Sequence, residues 1–145
     1  MALKNDAIEQ YLLDTKKILL ATVADNKSDI RILGGFVTEG LVTYFTSKKE
    51  ANKVKQIIQN PNVSIYFEKP DQVFPNYINI TIYGEAKIID DREEFEKVEK
   101  CITRKLPHLK IGEETNAIIK VIPKTIKIYN SASELESDKI QVIEI

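Results

Sequence analysis

Tyr77-Ile78-Asn79-Ile80-Thr81-Ile82-Tyr83-Gly84-Glu85-Ala86-Lys87-Ile88-Ile89 decides the fold class, because Ile78, Ile80 and Ile82 alternate with Asn79, Thr81 and Tyr83. Successive side chains of a strand point to opposite faces, so this period of two predicts a strand with one face in a core and one polar face. Downstream, Asp90 or Asp91 is placed to cap a charged helix running to about Leu106, with Phe95, Val98 and Ile102 as its apolar stripe and Pro107 beyond it. Ala117 to Tyr129 is again β-rich, and Pro123 inside it predicts a bulge or an edge where one amide is not needed. Ser131 to Asp138 is polar, and Ile140, Val142 and Ile145 suggest a last short strand.

Upstream, Val63 to Glu68 has the strand pattern, and Lys69 to Pro75 reads as a surface loop. From Ser47, residues Ala51, Val54, Ile57 and Ile58 share a helical face that ends at Asn60-Pro61, predicting a helix of about three turns. Ile18 to Ala24, Asp29 to Val37 and Leu41 to Phe45 are strands separated by turns at Asp25-Asn26-Lys27-Ser28 and Thr38-Glu39-Gly40. Turns this short predict an antiparallel meander, since parallel neighbours need a crossover of about a dozen residues. Within it Ile30, Ile32 and Leu33 read as buried. Ala2 to Lys17 reads as a short amphipathic helix. The sum is an α+β chain with six or seven strands in an antiparallel barrel or sheet and flanking helices, and closing the sheet would remove exposed edges.

The 145 residues suit one domain spanning 1–145, and 43% apolar with 30% charged residues is an ordinary globular balance. A net charge of −1 argues against nucleic-acid binding, which needs many phosphate contacts. No apolar run approaches the roughly 20 residues of a membrane span, and no secretory leader is visible, so a cytoplasmic protein is expected. Cys101 and His108 are the only residues of their kinds. They exclude an internal disulfide and argue against a thiolate or multi-imidazole metal site; Cys101 reads as an inert or partly buried thiol, and His108 as a surface histidine ahead of a proton-transfer or haem-ligand role.

The stretch that carries chemistry is Tyr44-Phe45-Thr46-Ser47-Lys48-Lys49-Glu50-Ala51-Asn52-Lys53, a strand ending in two hydroxyls before a basic helix start. Free backbone N–H groups and the positive end of the helix dipole suit an anion. Lys49, Asn52, Lys53 and Gln56 form a polar ridge that could grip a phosphate, or simply a solvated face. Ser47 to Glu50 also satisfies an S-x-x-E capping box, so Ser47 is read equally as a cap and as a phosphate contact. Arg31 stands in a β-rich run, either as a surface residue of an edge strand or as a fixed cation beside a bound anion.

The order Leu19-Leu20-Ala21-Thr22-Val23, Arg31-Ile32-Leu33-Gly34-Gly35-Phe36, Tyr44 to Val54 and Asn60-Pro61-Asn62-Val63-Ser64 resembles the pyridoxamine 5′-phosphate oxidase-like, FMN-binding split-barrel family. The likeness continues through Ile82-Tyr83-Gly84-Glu85-Ala86 and Val121-Ile122-Pro123. The resemblance implies a split barrel that binds FMN, an oxidoreductase activity with no catalytic side chain assigned, and a homodimer with flavin between the subunits. It places Arg31 and the backbone of Ile32, Leu33 and Gly34 against the isoalloxazine or ribityl chain, Thr46, Ser47, Asn52 and Lys53 at the phosphate, and Asn79 at flavin across the dimer interface. It also leaves open a flavin-storage or sensing module, or a haem- or deazaflavin-binding relative. Two departures stand out. The family's Ser-Arg-Lys triplet is Ala51-Asn52-Lys53 here, and the basic carboxy-terminal segment that binds pyridoxal phosphate has no counterpart, which points to small general-stress and nitroimidazole-resistance relatives rather than to vitamin B6 synthesis.

Overall fold

A computed structural model describes residues 3–132 and 139–145 of the chain; Ala2 and most of the polar tail read at Ser131 to Asp138 lie outside the described residues. Its elements run α1 (Asn5–Asp14), β1 (Ile18–Ala24), β2 (Lys27–Leu33), β3 (Phe36–Glu39), β4 (Val42–Lys48), α2 (Asn52–Gln59), β5 (Asn62–Glu68), β6 (Ile78–Ile88), α3 (Arg92–Lys105), β7 (Asn116–Asn130) and β8 (Ile140–Glu144). All strand pairs are antiparallel, in the order β2-β1-β5-β6-β7-β4-β3, with β8 added beside β7. The strands therefore number eight among the described residues, one more than the sequence patterns predict at most.

The expected meander is only half present. Asp25 and Asn26, both at positive φ, make the tight β1–β2 turn, and Gly40 at φ 60° turns β3 into β4. However, the run Asp29 to Val37 is not one strand. It breaks at Gly34-Gly35, and its two halves, β2 and β3, are the opposite ends of the sheet path. The sheet curls until its first and last strands become consecutive in sequence, so the barrel is closed there by the chain and left split between two strand edges. Local periodicity reports which residues extend, not which strands they pair with, so this break carries no period-two signature.

The barrel interior holds Leu20, Phe36, Phe45, Ile65, Phe67, Ile80, Ile82, Ile119 and Ile126, all at most 1% exposed. Helix α1 contributes Ile8, Tyr11 and Leu12 to this core and α2 contributes Val54 and Ile57. A second, smaller core lies outside the sheet, where Phe95, Val98 and Ile102 of α3 pack on Tyr44, Ile89 and Ile118. Of the two candidates Asp90 and Asp91, it is Asp91 that caps α3, its carboxylate accepting from the Glu94 N–H at 2.9 Å. The bulge at Pro123 is also present: the β6–β7 register shifts between Tyr83 and Gly84, with Pro123 opposite Gly84. A Cβ at Gly84 would lie 2.4 Å from the Ile122 carbonyl oxygen, so glycine is required for this close approach.

Two sequence expectations fail at strand β2 and at the approach to α2. Ile30 and Ile32 are 63% and 66% exposed, whereas the Arg31 side chain is only 20% exposed. Pairing sets this inversion, because Arg31 lies opposite Leu20 and so shares the inward face. Ser47 does not start a helix. Strand β4 continues through Lys48 because its ladder with β7 extends to Ser47–Ala117 and Lys48–Asn116, and α2 begins only at Asn52, with eight residues or about two turns.

Candidate functional site

The split in the barrel gathers most of the candidate residues. Arg31, turned inward from edge strand β2, donates from Nη1 to Thr22 Oγ1 at 2.9 Å and from Nη2 to Gln56 Oε1 at 2.7 Å, and pairs with Asp29 at 3.0 Å. Thr22 also donates to Gln56 Oε1 at 2.7 Å, so β1, β2 and α2 meet at one fixed guanidinium. Asp29, exposed, has its pKa lowered by the Gln56 amide first and by the Arg31 charge second. The two readings of Arg31 are thus combined in one residue, which belongs to an edge strand yet is held as a fixed cation.

Lys53 lies in the first turn of α2, half-buried, and its pKa is lowered by burial and then by the nearby Arg31 charge. Among the described residues it has no carboxylate partner. The helix start beside it is also open. Ala51 occupies the N-cap position without a side-chain cap, so no hydroxyl or carboxylate serves the first N–H groups of α2. The S-x-x-E pattern forms no capping box, because Ser47 is in β4, 6% exposed on the inward face, with its hydroxyl donating to the Lys48 carbonyl at 3.2 Å. Asn52 is exposed at the helix start. Lys49 precedes the helix and does not share a face with Asn52, Lys53 and Gln56.

The second wall of the split is the β2–β3 break. Leu33 is buried and Ile32 exposed, and the added Cβ of a residue at Gly34 would meet nothing within 4 Å, so backbone is open to approach there. Gly35 is tightly covered instead: a Cβ would lie 3.3 Å from Leu109 and 3.4 Å from the Thr46 methyl. The Thr46 N–H donates to the Gly35 carbonyl at 3.2 Å and its hydroxyl donates to the Ala117 carbonyl at 3.3 Å. Thr46 and Ser47, as strand neighbours, point to opposite faces, so their hydroxyls do not converge on one point. Asn79 is not part of this group. It lies on β6, three strands from β2, opposite Glu68 and Tyr129 on the outer face of the sheet, on the order of 14 Å away at the usual strand spacing.

Sequence reading missed Lys105. From the last turn of α3 its Nζ donates to the Phe36 carbonyl at 3.0 Å and sits 3.9 Å from the Phe36 ring centroid, and burial lowers its pKa. A lysine at a helix carboxy end ordinarily complements the dipole, so nothing local marks it as a third cation at the break.

The chemistry of this donor set fits a phosphate-bearing ligand: a fixed guanidinium, a half-buried ammonium without a carboxylate, and an uncapped helix start, beside open backbone at Gly34. The same architecture is found by comparison with known proteins. A family model for pyridoxamine 5′-phosphate oxidase matches residues 5–129. The chain belongs to this family.

No curated protein matches the family member described here. Among solved structures it is similar to a NimC/NimA family protein from Clostridium acetobutylicum, with 18% identity over 97% of this chain and 92% of that one and a TM-score of 0.73. General Stress Protein 26 from Bacillus anthracis has 18% identity, with 95% and 98% of the two chains covered and a TM-score of 0.68. A pyridoxamine 5′-phosphate oxidase-related, FMN binding protein from Nostoc punctiforme has 14% identity, with 100% and 97% covered and a TM-score of 0.67. These likenesses establish the split-barrel fold. Among the described residues no helix is long and apolar enough to cross a membrane.

Proposed function

We propose that this chain binds FMN at the split of its barrel and works as an oxidoreductase. The observation that carries the reading is the convergence of Arg31 and Lys53 on the uncapped start of α2. Arg31, already held by Thr22 and Gln56, would present its charge to the phosphate with little ordering cost, and Lys53 would add a second charge relieved of its electrostatic penalty by the ligand. Asn52 and the free N–H groups of the helix start would supply further donors. Thr46 and the backbone from Ile32 to Gly34 would line the rest of the ligand, where Gly34 leaves space. Ser47, with its hydroxyl on the Lys48 carbonyl, would act by shaping the β4 end rather than by direct contact. The flavin supplies the redox chemistry when bound, and the protein supplies position, charge and exclusion of water. Membership of the family and the fold shared with the Nostoc punctiforme FMN binding protein support the assignment.

Homodimerisation belongs to the same proposal. The outer face of β2, β1, β5, β6 and β8 has no helix over it among the described residues and carries exposed Ile30, Ile32, Val23, Tyr83, Ile140 and Val142. A second copy would cover these side chains and bring its Asn79, remote from Arg31 within one chain, to the first copy's site. The test is an absorbance spectrum after incubation with FMN and desalting, with light scattering for mass. A yellow dimer holding one FMN per chain is expected. A protein that stays colourless overturns the cofactor assignment, and a yellow monomer overturns the role of Asn79.

A further inference from the structure

A cavity beside α2, lined by Lys49, Val54, Phe95 and Asn116 among others, is separate from the Arg31–Lys53 pair. It has a volume of about 420 Å³, within the usual range for small-molecule sites, and none of Arg31, Asn52 and Lys53 lines it. Its floor is apolar: Val54, Phe95 and Ala117 are each at most 6% exposed. Exposed Ile58 and Ile88 extend this surface to the mouth.

One polar group is built into the wall. Asn116 is 8% exposed, and its side-chain oxygen accepts from the Gly112 N–H at 3.2 Å and from the Thr115 hydroxyl at 2.9 Å. These bonds fix the amide orientation and leave Nδ2 as the free end, with no acceptor among the described residues. Nδ2 is not among the buried side-chain atoms left without a partner, so it reaches solvent and is free to donate to a ligand in the cavity. Lys49 is its neighbour, since the Lys49 N–H donates to the Thr115 carbonyl at 3.0 Å, and its ammonium has no ion-pair partner among the described residues. An amide donor beside a lysine suits a carboxylate. The rest of the rim has the opposite sign: Asp90 and Glu113 also line the cavity and have no cation partner among the described residues, while Arg92 is engaged with Glu96 at 3.3 Å. A simple carboxylate would meet these two acids, and a simple amine would leave Asn116 and Lys49 unanswered.

We propose that this cavity binds a small zwitterion with an apolar side chain, an apolar α-amino acid. Its carboxylate meets Asn116 Nδ2 and Lys49, its ammonium meets Asp90 and Glu113, and its side chain covers Val54 and Phe95. The site is independent of the flavin assignment. Titration calorimetry and amide chemical-shift mapping with L-phenylalanine and L-leucine, on the full chain with and without FMN, test it. Both amino acids are expected to bind, shifting amides around Lys49, Asp90 and Asn116 in either state. N-acetyl-L-phenylalanine and L-phenylalanine methyl ester, each lacking one charge, are expected to bind about tenfold more weakly or worse. Lys49→Gln is expected to weaken the amino acid while leaving the methyl ester unchanged, and Glu113→Gln to do the reverse with the N-acetyl form. Absence of binding, equal affinity of the blocked forms, indifference to both substitutions, or shifts confined to Arg31 and Lys53 would each overturn the proposal.

Discussion

Lys53 shows how a residue can be poor for the free fold and good for a ligand. Its ammonium is half-buried beside Arg31, and both burial and that charge lower its pKa from the ordinary value of 10.5. A folded-state pKa below the unfolded one means that the unfolded chain binds the proton more tightly, so stability is lost while Lys53 is charged and recovered as pH rises through the folded pKa towards 10.5. Wild type is therefore expected to gain stability relative to Lys53→Met as pH rises towards 10.5, read from denaturant midpoints. The same substitution should lower FMN affinity by about tenfold or more while leaving the ligand-free melting temperature unchanged or higher. Equal affinity in the two proteins would remove Lys53 from the site. Since a phosphate favours the charged amine, FMN affinity is expected to fall as pH rises through the same range, with proton uptake on binding. Arg31 was legible as a cation in an apolar run, but its direction was not. The alternation of Ile30 and Ile32 with Arg31 and Leu33 defines two faces, and only pairing with Leu20 and the polar partners Thr22 and Gln56 decide that the arginine goes in.

The start of α2 is the element where local and long-range rules disagree. Ser47 and Glu50 have the spacing of a capping box, yet the β4–β7 ladder runs to Lys48 and delays the helix, leaving Ala51 as a cap that caps nothing. Ala51→Asp is expected to stabilise the ligand-free protein by about 1 kcal/mol, as an N-cap carboxylate does, and to weaken FMN binding by competing for the same N–H groups and charges. A variant that gains stability without losing affinity would place the phosphate elsewhere. By contrast α3 was legible except for the choice between Asp90 and Asp91 as its cap, since the paired acids, the apolar stripe and Pro107 are all local signals. Strand β6 was legible for the same reason, and so was the irregularity at Pro123, though its counterpart Gly84 is understood only from the facing strand. Gly84→Ala should cost about 1–3 kcal/mol, because the new methyl must displace the Ile122 backbone rather than a movable side chain. An unchanged unfolding midpoint would mean that the bulge yields freely.

At the scale of the molecule, the sheet has two differently treated outer regions. Helix α3 covers the β3, β4 and β7 side, whereas the β2, β1, β5, β6 and β8 side exposes branched aliphatic residues with no covering element among the described residues. Ile30→Lys combined with Ile32→Lys is expected to convert a dimer into a folded monomer, measured by light scattering and by far-ultraviolet circular dichroism. A double variant that remains dimeric would locate the interface on another face. The fold class was readable because alternation repeats in strand after strand, while strand order was not, because the two ends of the sheet meet through Gly34-Gly35 with no local mark. That junction also bears on the order of events in time. No ladder joins β2 to β3 among the described strand pairings, so a site at this seam is complete only once the rest of the sheet has assembled and holds both edges in place. A ligand lodged at the seam should then leave the refolding rate nearly unchanged and slow the escape from the native state, extending the lifetime of the folded chain rather than hastening its arrival.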